Sequence, residues 1–287
     1  MGPAPLVCSY PGSPERKNED RALVTETVAV VVDGAGMPAS SRTGCWHSVA
    51  WYAETLSHAL VERLTTSAIS MRDALAAALE DTLEAHGPRC RPTEGSPSAT
   101  VASWRIGQDR LDYLVLGDAS VSLSVVGGRT EHVSDHRLNA AVGPAVERVT
   151  AAGGSGADLR TARLQAVEET RNQPDGFWCC HHNPDAAREA VTGSRDLALL
   201  DGAVLASDGA ARGFELLGCH GLTDFVNLAV AGRHESIRET IRSAEFAQSQ
   251  RLDSLGLKIH DDASIVSLRV GRDQLTGVER GASKRTW

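Results

Sequence analysis

The stretch Val28-Ala29-Val30-Val31-Val32-Asp33-Gly34-Ala35-Gly36 is an apolar run that stops at an acid and a glycine. A continuous apolar run rich in β-branched Val indicates a strand that is covered on both faces. The carboxylate that follows such a strand is held at the rim of the core, and the glycine lets the backbone approach an ion or anion closely. The stretch therefore predicts a layered sheet protein with a polar site beside a central strand.

Acids also flank other predicted strands. They either follow a strand directly or precede one, and a Gly often lies next to them: Glu19, Asp20, Asp118, Asp208, Asp261 and Asp262. Oxygen ligands at this density suit Mg²⁺ or Mn²⁺, and two such ions about 3.5–4 Å apart can direct an activated water at phosphorus. Each acid taken alone is also typical of a turn or a helix cap, so both interpretations stay open at single positions.

Strands and helices are predicted in blocks along the chain. Helical spacing predicts helices over Cys45–Leu64 and Met71–His86, and a largely helical segment over Leu222–Gln250. The strands are predicted at Leu6–Ser9, Arg21–Val32, Ala99–Ile106, Leu111–Leu116, Val121–Val126, Leu197–Ala206 and Ala263–Val270, with the third to fifth forming an antiparallel meander. Blocks of this kind favour an α+β layered architecture over a doubly wound sheet.

Composition narrows the class of protein. The chain has 287 residues, of which 41% are hydrophobic and 23% charged, as in soluble globular proteins. Its net charge of −8 argues against a nucleic-acid partner, and no apolar run reaches the ~20 residues of a membrane helix. The N-terminus has no secretory pattern, so we expect a cytoplasmic protein. We expect one domain over 1–270, with a divergent segment at 138–196 and a polar tail at 271–287.

The cysteines do not predict a metal site or a disulfide framework. Their scatter provides no CxxC pair: Cys8, Cys45, Cys90, Cys179, Cys180 and Cys219. Cys179-Cys180-His181-His182 has the residue types of a zinc site, but neighbours on a strand point to opposite faces. We therefore expect no zinc at that segment.

The ordered set of motifs resembles the PPM-type (type 2C) metal-dependent protein phosphatases, from about Ser13 to Val270. The matching segments are Asn18-Glu19-Asp20-Arg21, Val31-Val32-Asp33-Gly34-Ala35-Gly36, Ser98-Ala99-Thr100, Gly117-Asp118-Ala119-Ser120, Val133-Ser134-Asp135-His136-Arg137, Leu205-Ala206-Ser207-Asp208-Gly209 and Asp261-Asp262-Ala263-Ser264-Ile265-Val266. The resemblance implies a four-layer α-β-β-α sandwich of two antiparallel sheets flanked by helix pairs. It also implies a hydrolase that removes phosphate from phosphoserine or phosphothreonine in proteins.

By resemblance, the catalytic residues are Asp33 and Asp208, and two Mn²⁺ or Mg²⁺ ions hold the water that attacks phosphorus. Asp33 would bridge the ions, and Asp118 would hold a possible third ion together with Asp208. The full implied ligand set is Glu19, Asp20, Asp33, the carbonyl of Gly34, Asp118, Asp208 and Asp261. Arg16 would bind the substrate phosphate; Lys17 could share that role, and Arg16 could equally be a solvated surface residue.

The sequence departs from the family pattern at several positions. Arg16 lies one residue closer to the acidic pair than is usual, Ala35 stands where animal members carry a His, and Asp262 stands where Asn is usual. Ser120 replaces an Arg, so a structural ion pair of the family is expected to be missing. Phe177 and Trp178 fit either a core strand or a cleft.

Two other functions stay open: phosphatase of a small phosphorylated metabolite, and non-catalytic binding of phosphoproteins.

Overall fold

The structure is a computed structural model that describes residues 4–35, 43–66 and 68–271. Its strands are β1 (Leu6–Tyr10), β2 (Arg21–Val24), β3 (Val28–Ala35), β4 (Ser98–Ile106), β5 (Arg110–Leu116), β6 (Ser120–Val125), β7 (Arg129–Ser134), β8 (Val191–Asp196), β9 (Leu200–Ala206) and β10 (Ala263–Arg269). Its α-helices are α1 (Val49–Thr66), α2 (Met71–Ala85), α3 (Arg137–Ala151), α4 (Ala157–Thr170), α5 (Asp208–Glu215), α6 (Leu222–Val230), α7 (His234–Ala247) and α8 (Ser249–Ser254). Short 3₁₀ turns occur at Pro92–Glu94, Pro184–Glu189 and Leu197–Leu199.

Two five-stranded antiparallel sheets form the centre of the fold. One has the order β1-β10-β9-β6-β7, and the other has the order β2-β3-β4-β5-β8. Helices α1 and α2 pack on the sheet that contains β3, and α5 to α7 pack on the sheet that contains β9 and β10. The expected α-β-β-α sandwich is therefore confirmed.

The apolar run of β3 supplies two layers of the core at once. Val28, Val30 and Val32 face the helix pair α1–α2, whereas Ala29 and Val31 face the other sheet. Side chains alternate across a strand, so a strand between two covered faces needs apolar residues at every position. This explains why the sequence here is a continuous apolar run and not an alternating one.

Three strand predictions need correction. Arg21–Val32 forms two strands, because the Thr25 hydroxyl accepts from the amides of Thr27 and Val28 at 3.3 and 3.0 Å and closes a turn. β3 does not stop at Asp33; it continues to Ala35, paired with β4. β4, β5 and β6 are no meander, because residues 117–119 carry the chain from one sheet to the other.

Strand β7 and helix α5 were not predicted, whereas the prediction that 222–250 is largely helical is confirmed by α6, α7 and the start of α8. The segment 138–196 contains the helical hairpin α3–α4 and then β8, the edge strand of the β3 sheet. The predicted tail at 271–287 lies outside the described residues except for its first residue. Within the described part of the chain, no helix is long and apolar enough to cross a membrane.

Candidate metal and phosphate site

Aspartates from both sheets meet where the sheets end. Asp33 lies near the end of β3, Asp118 lies in the connection between the sheets, and Asp208 begins α5 directly after β9. The amide of Asp208 donates to Asp33 Oδ2 at 3.1 Å, which joins the two sheets at this point. Asp20 and Asp261 precede β2 and β10 and reach the same group.

The electrostatics of this group confirm that its members are close neighbours. Burial raises the pKa of Asp33 well above its ordinary value, and the charges of Asp20, Asp118 and Asp261 raise it further. Burial is also the main reason why the pKa of Asp208 is raised, and the charges of Asp33, Asp261 and Asp118 raise it further. Like charges that are packed together and desolvated disfavour ionisation unless cations neutralise them.

Asp20 is the clearest sign that a cation fits. Its side chain is 2% exposed, and its Oδ2 has no hydrogen-bond partner. Burial, followed by the charge of Asp208, raises the pKa of Asp20 to about 7, while the Ser207 hydroxyl partly opposes that rise. A buried carboxylate oxygen without a donor costs free energy, which a bound cation would recover. The side-chain atoms that this group of acids offers to a metal ion are all carboxylate oxygens, which Mg²⁺ and Mn²⁺ prefer as ligands.

Gly34 brings the acidic motif at Glu19 against β3. A Cβ built at Gly34 would lie 2.5 Å from the carbonyl oxygen of Glu19 and 2.5 Å from Val49 Cγ1. No other residue can occupy this position without moving the backbone. Glu19, Gly34 and the aspartates are therefore held beside one another by backbone packing.

Asp262 fixes the acidic motif from the other side. Its Oδ1 accepts the amide of Gly12 and its Oδ2 accepts the amide of Glu19, both at 2.6 Å. A carboxylate can accept two donors at once, whereas an Asn side chain offers one oxygen. The replacement of the usual Asn by Asp262 thus has a structural explanation in this chain.

A buried ionic network that the sequence did not predict holds the loop of Asp261. Glu245 is fully buried and binds Arg212 and Arg242, each at 2.7 Å, and His260 at 2.8 Å. Arg242 also donates to the carbonyl of Asp261 at 2.7 Å. The three-residue spacing of Arg242 and Glu245 on α7 could have indicated an ion pair in the sequence. The other partners of Glu245, Arg212 and His260, are remote from it in sequence.

A cleft of about 330 Å³ adjoins the aspartates. It is lined by Arg16 and Lys17, both exposed, and by Glu19, Lys258 and Asp261. Lys258 Nζ lies 2.8 Å from Asp261 Oδ1 and was missed by the sequence analysis. The available signal was its position three residues before Asp261, as one of only three lysines in the chain.

The divergent segment reaches this cleft through α4 and not through its aromatic residues. Arg160 lines the cleft and pairs with Asp253 at 3.2 Å. Phe177 is buried, and Trp178 packs on the core cluster under α1 and α2. The core interpretation of these two aromatic residues is therefore correct.

Comparison with known proteins agrees with this fold and identifies the family. The family model for protein phosphatase 2C matches residues 17–252. The chain therefore belongs to the protein phosphatase 2C family, the metal-dependent protein serine/threonine phosphatases. No curated protein sequence matches it significantly.

Solved structures share the fold at low sequence identity. The Mycobacterium tuberculosis serine/threonine phosphatase PstP/Ppp is 14% identical, with a TM-score of 0.53 over 93% of this chain and 97% of that one. The Staphylococcus aureus serine/threonine phosphatase Stp1 is 12% identical, with a TM-score of 0.56 over 94% and 97%. A PstP catalytic domain described in complex with two manganese ions is 15% identical, with a TM-score of 0.53 over 93% and 98%.

Proposed function

We propose that the protein removes phosphate from phosphoserine and phosphothreonine in other proteins, using one catalytic domain over 1–270. The observation that carries this proposal is the partly buried group of aspartates beside a cleft lined by Arg16, Lys17 and Lys258. An anionic pocket that takes divalent cations, next to cationic side chains that take phosphate oxygens, suits phosphomonoester hydrolysis.

Each ligand has an assigned place in the proposal. Asp33 would be shared by two cations, Gly34 would contribute its carbonyl, and Asp208 and Asp261 would serve as further ligands of one ion. Glu19 and Asp20 would serve the second ion, and Asp118 would hold a third together with Asp208. When bound, Mn²⁺ or Mg²⁺ would supply an activated water and offset the charge of the phosphate.

The remaining proposed roles concern phosphate binding in the cleft, protonation of the leaving group and support of Asp261. Arg16 binds two phosphate oxygens through its planar guanidinium, and Lys258, paired with Asp261, adds a point charge at the same side. Ala35 carries no ionisable group, so the leaving alkoxide takes its proton from water. The buried Glu245 network keeps Asp261 in position and does not touch the substrate.

The test is hydrolysis of p-nitrophenyl phosphate and of phosphoserine and phosphothreonine peptides in Mn²⁺, Mg²⁺ or EDTA. We expect turnover that requires the metal and disappears in Asp208→Ala. Asp224→Asn, which alters an exposed acid on α6, is the matched control and keeps wild-type turnover.

The other outcomes contradict the proposal in different ways. Metal-dependent turnover of phosphorylated metabolites with no phosphopeptide turnover would keep the chemistry and replace the substrate. Absence of turnover together with tight phosphopeptide binding would make the chain a binding protein. Metal-dependent turnover that survives Asp208→Ala would remove the aspartate group from the mechanism.

A further inference from the structure

A second group of metal-binding side chains lies at one end of the α1–α2 helix pair. Among the described residues, Cys45, His47, His86 and Cys90 bring four ligand atoms within 4.8 Å of one another. Cys45, His47 and His86 are buried, and Cys90 is half-buried. These residues are separate from the aspartates and were not connected by the sequence analysis, which considered zinc at Cys179–His182.

The distances fit one tetrahedral ion. Cys45 Sγ and Cys90 Sγ are 3.7 Å apart, and three sulfur-to-Nδ1 distances are 3.3–3.4 Å: Cys90 to His47, Cys45 to His47 and Cys45 to His86. Tetrahedral zinc with ordinary bond lengths places its sulfur ligands about 3.8 Å apart and a sulfur and a nitrogen about 3.5 Å apart. The sulfur separation is far beyond the ~2.05 Å of a disulfide bond.

Two chain segments are fastened together to make this arrangement. Cys45 and His47 precede α1, His86 caps the end of α2, and Cys90 follows the Gly87-Pro88 turn. The amide of Arg91 donates to the carbonyl of Gly44 at 2.7 Å, and a Cβ at Gly44 would lie 2.1 Å from the Arg91 carbonyl oxygen. The backbone thus holds both cysteines side by side.

Aromatic rings fix the orientation of His47. Its ring stacks between Trp46 and Trp51, with centroid distances of 3.9 and 3.7 Å and interplanar angles of 30° and 21°. Trp51 also meets the edge of His86 at 4.9 Å. Rings locked by packing present their nitrogens at defined positions, as a metal site requires.

We propose that Cys45, His47, His86 and Cys90 bind one structural Zn²⁺ that closes the end of the α1–α2 helix pair. Two thiolates and two neutral imidazoles neutralise a divalent cation, which suits a largely buried site. Four protein ligands fill a tetrahedral shell and leave no position for a substrate, so the ion is structural and not catalytic. Helix α1 begins two residues after His47, and its Val49 packs on Gly34, so the ion also stabilises the support of the aspartate group.

The test uses the full chain, purified reduced and with zinc in the medium, then washed with EDTA to clear the carboxylate site. Metal analysis is expected to find about one zinc per chain, released by a thiol-modifying mercurial reagent. Replacement by Co²⁺ is expected to produce a thiolate-to-cobalt charge-transfer band, which an all-oxygen site cannot produce.

Cys45→Ser and Cys90→Ser are expected to lose the zinc and the cobalt band. Even outer-shell partners change metal affinity ~10–100-fold, so loss of a ligand should weaken zinc binding at least ~100-fold. Cys219→Ser is the matched control, because Cys219 is half-buried, does not belong to the Cys/His group, and its thiol donates to the carbonyl of Gly213 at 3.4 Å. Cys179→Ser tests the alternative segment, and both variants should keep the zinc.

Three results would overturn the proposal. One is a reduced, folded wild-type chain that holds less than about a tenth of an equivalent of zinc and produces no cobalt band. Another is full zinc retention in Cys45→Ser and Cys90→Ser. The third is a Cys45–Cys90 disulfide in the reduced preparation. If the serine variants do not fold, the wild-type cobalt spectrum still decides the question.

Discussion

The two candidate ligand groups of this chain differ in donor chemistry and in the way the fold holds them. The aspartate group offers only oxygen atoms and collects them from five separate segments at the meeting edge of two sheets. The Cys/His group offers sulfur and nitrogen atoms from the segment before α1 and the segment after α2, which meet at one end of the helix pair. Oxygen ligands favour Mg²⁺ and Mn²⁺, whereas thiolate and imidazole ligands favour zinc. We therefore expect the two groups to bind different metals.

This difference also decides what each ion can do. The aspartates lie beside a cleft, where a bound cation would retain positions for water and phosphate. The Cys/His group closes a tetrahedron inside the protein. Variants of the aspartate group should therefore leave the zinc in place.

The largest expected effect is that of Asp33→Asn. If Asp33 bridges two cations as proposed, its loss removes several kcal/mol of transition-state stabilisation, and kcat with Mn²⁺ should fall by at least ~10³-fold. The zinc content of the Cys/His group should remain at the wild-type value. Steady-state kinetics and metal analysis of the same preparation check both statements.

Asp33→Asn with near wild-type kcat would remove Asp33 from the bridging position. Loss of zinc in the same variant would mean that the two groups are not independent. Circular dichroism of the variant shows whether the fold is intact, which either conclusion requires.

The next effect is that of Glu245→Ala on the ionic network behind Asp261. Its removal leaves Arg212 and Arg242 without their buried partner, which should lower the free energy of unfolding by ~3–5 kcal/mol. The Mn²⁺ concentration for half-maximal activity should rise, because Asp261 loses its support. Urea unfolding and metal titration are the measurements.

Glu62→Ala is a control for this variant, because Glu62 belongs to α1 and lies outside the network. An unchanged unfolding free energy in Glu245→Ala would show that the network contributes nothing net to stability. A lower stability with unchanged metal dependence would separate the network from Asp261.

The aspartate group was predictable because each member lies in a short local motif, and the order of those motifs along the chain matched a family. The Cys/His group was not, since Cys45 and His47 are about forty residues from His86 and Cys90 and no local motif joins them. The available signals were a Cys-x-His pattern at the start of one predicted helix and a His-x₃-Cys pattern at the end of the next. The helix pair itself was predicted, but the contact between the segment before α1 and the segment after α2 was not.

The same reasoning explains the errors in the fold. Helices α1 and α2 follow from local periodicity and were predicted within four residues of their observed bounds. The sheet membership of β6 does not, because it depends on β9, which lies about eighty residues further along the chain. Strands that follow one another in the sequence, such as β5 and β6, do not necessarily pair in the same sheet.

A smaller effect is expected from Arg16→Ala at the cleft. If Arg16 binds the substrate phosphate, KM should rise by roughly ten- to a hundredfold, which corresponds to ~1.4–2.7 kcal/mol. Lys17→Ala and Lys258→Ala are the matched variants, since both residues line the same cleft. An unchanged KM in Arg16→Ala, with a raised KM in one of the lysine variants, would move the phosphate contact to that lysine.

The smallest effect is expected from Asp262→Asn, which restores the residue usual in the family. The Asn side chain has one oxygen, so either Gly12 or Glu19 loses its acceptor and its amide faces an NH₂ group instead. We expect the free energy of unfolding to fall by ~1–3 kcal/mol, measured by urea denaturation against Asp224→Asn. If Glu19 is the residue that loses its acceptor, the Mn²⁺ concentration for half-maximal activity should rise as well, whereas zinc retention should not change. Equal or greater stability would mean that the second amide finds another acceptor, and that the carboxylate of Asp262 is dispensable for holding the acidic motif.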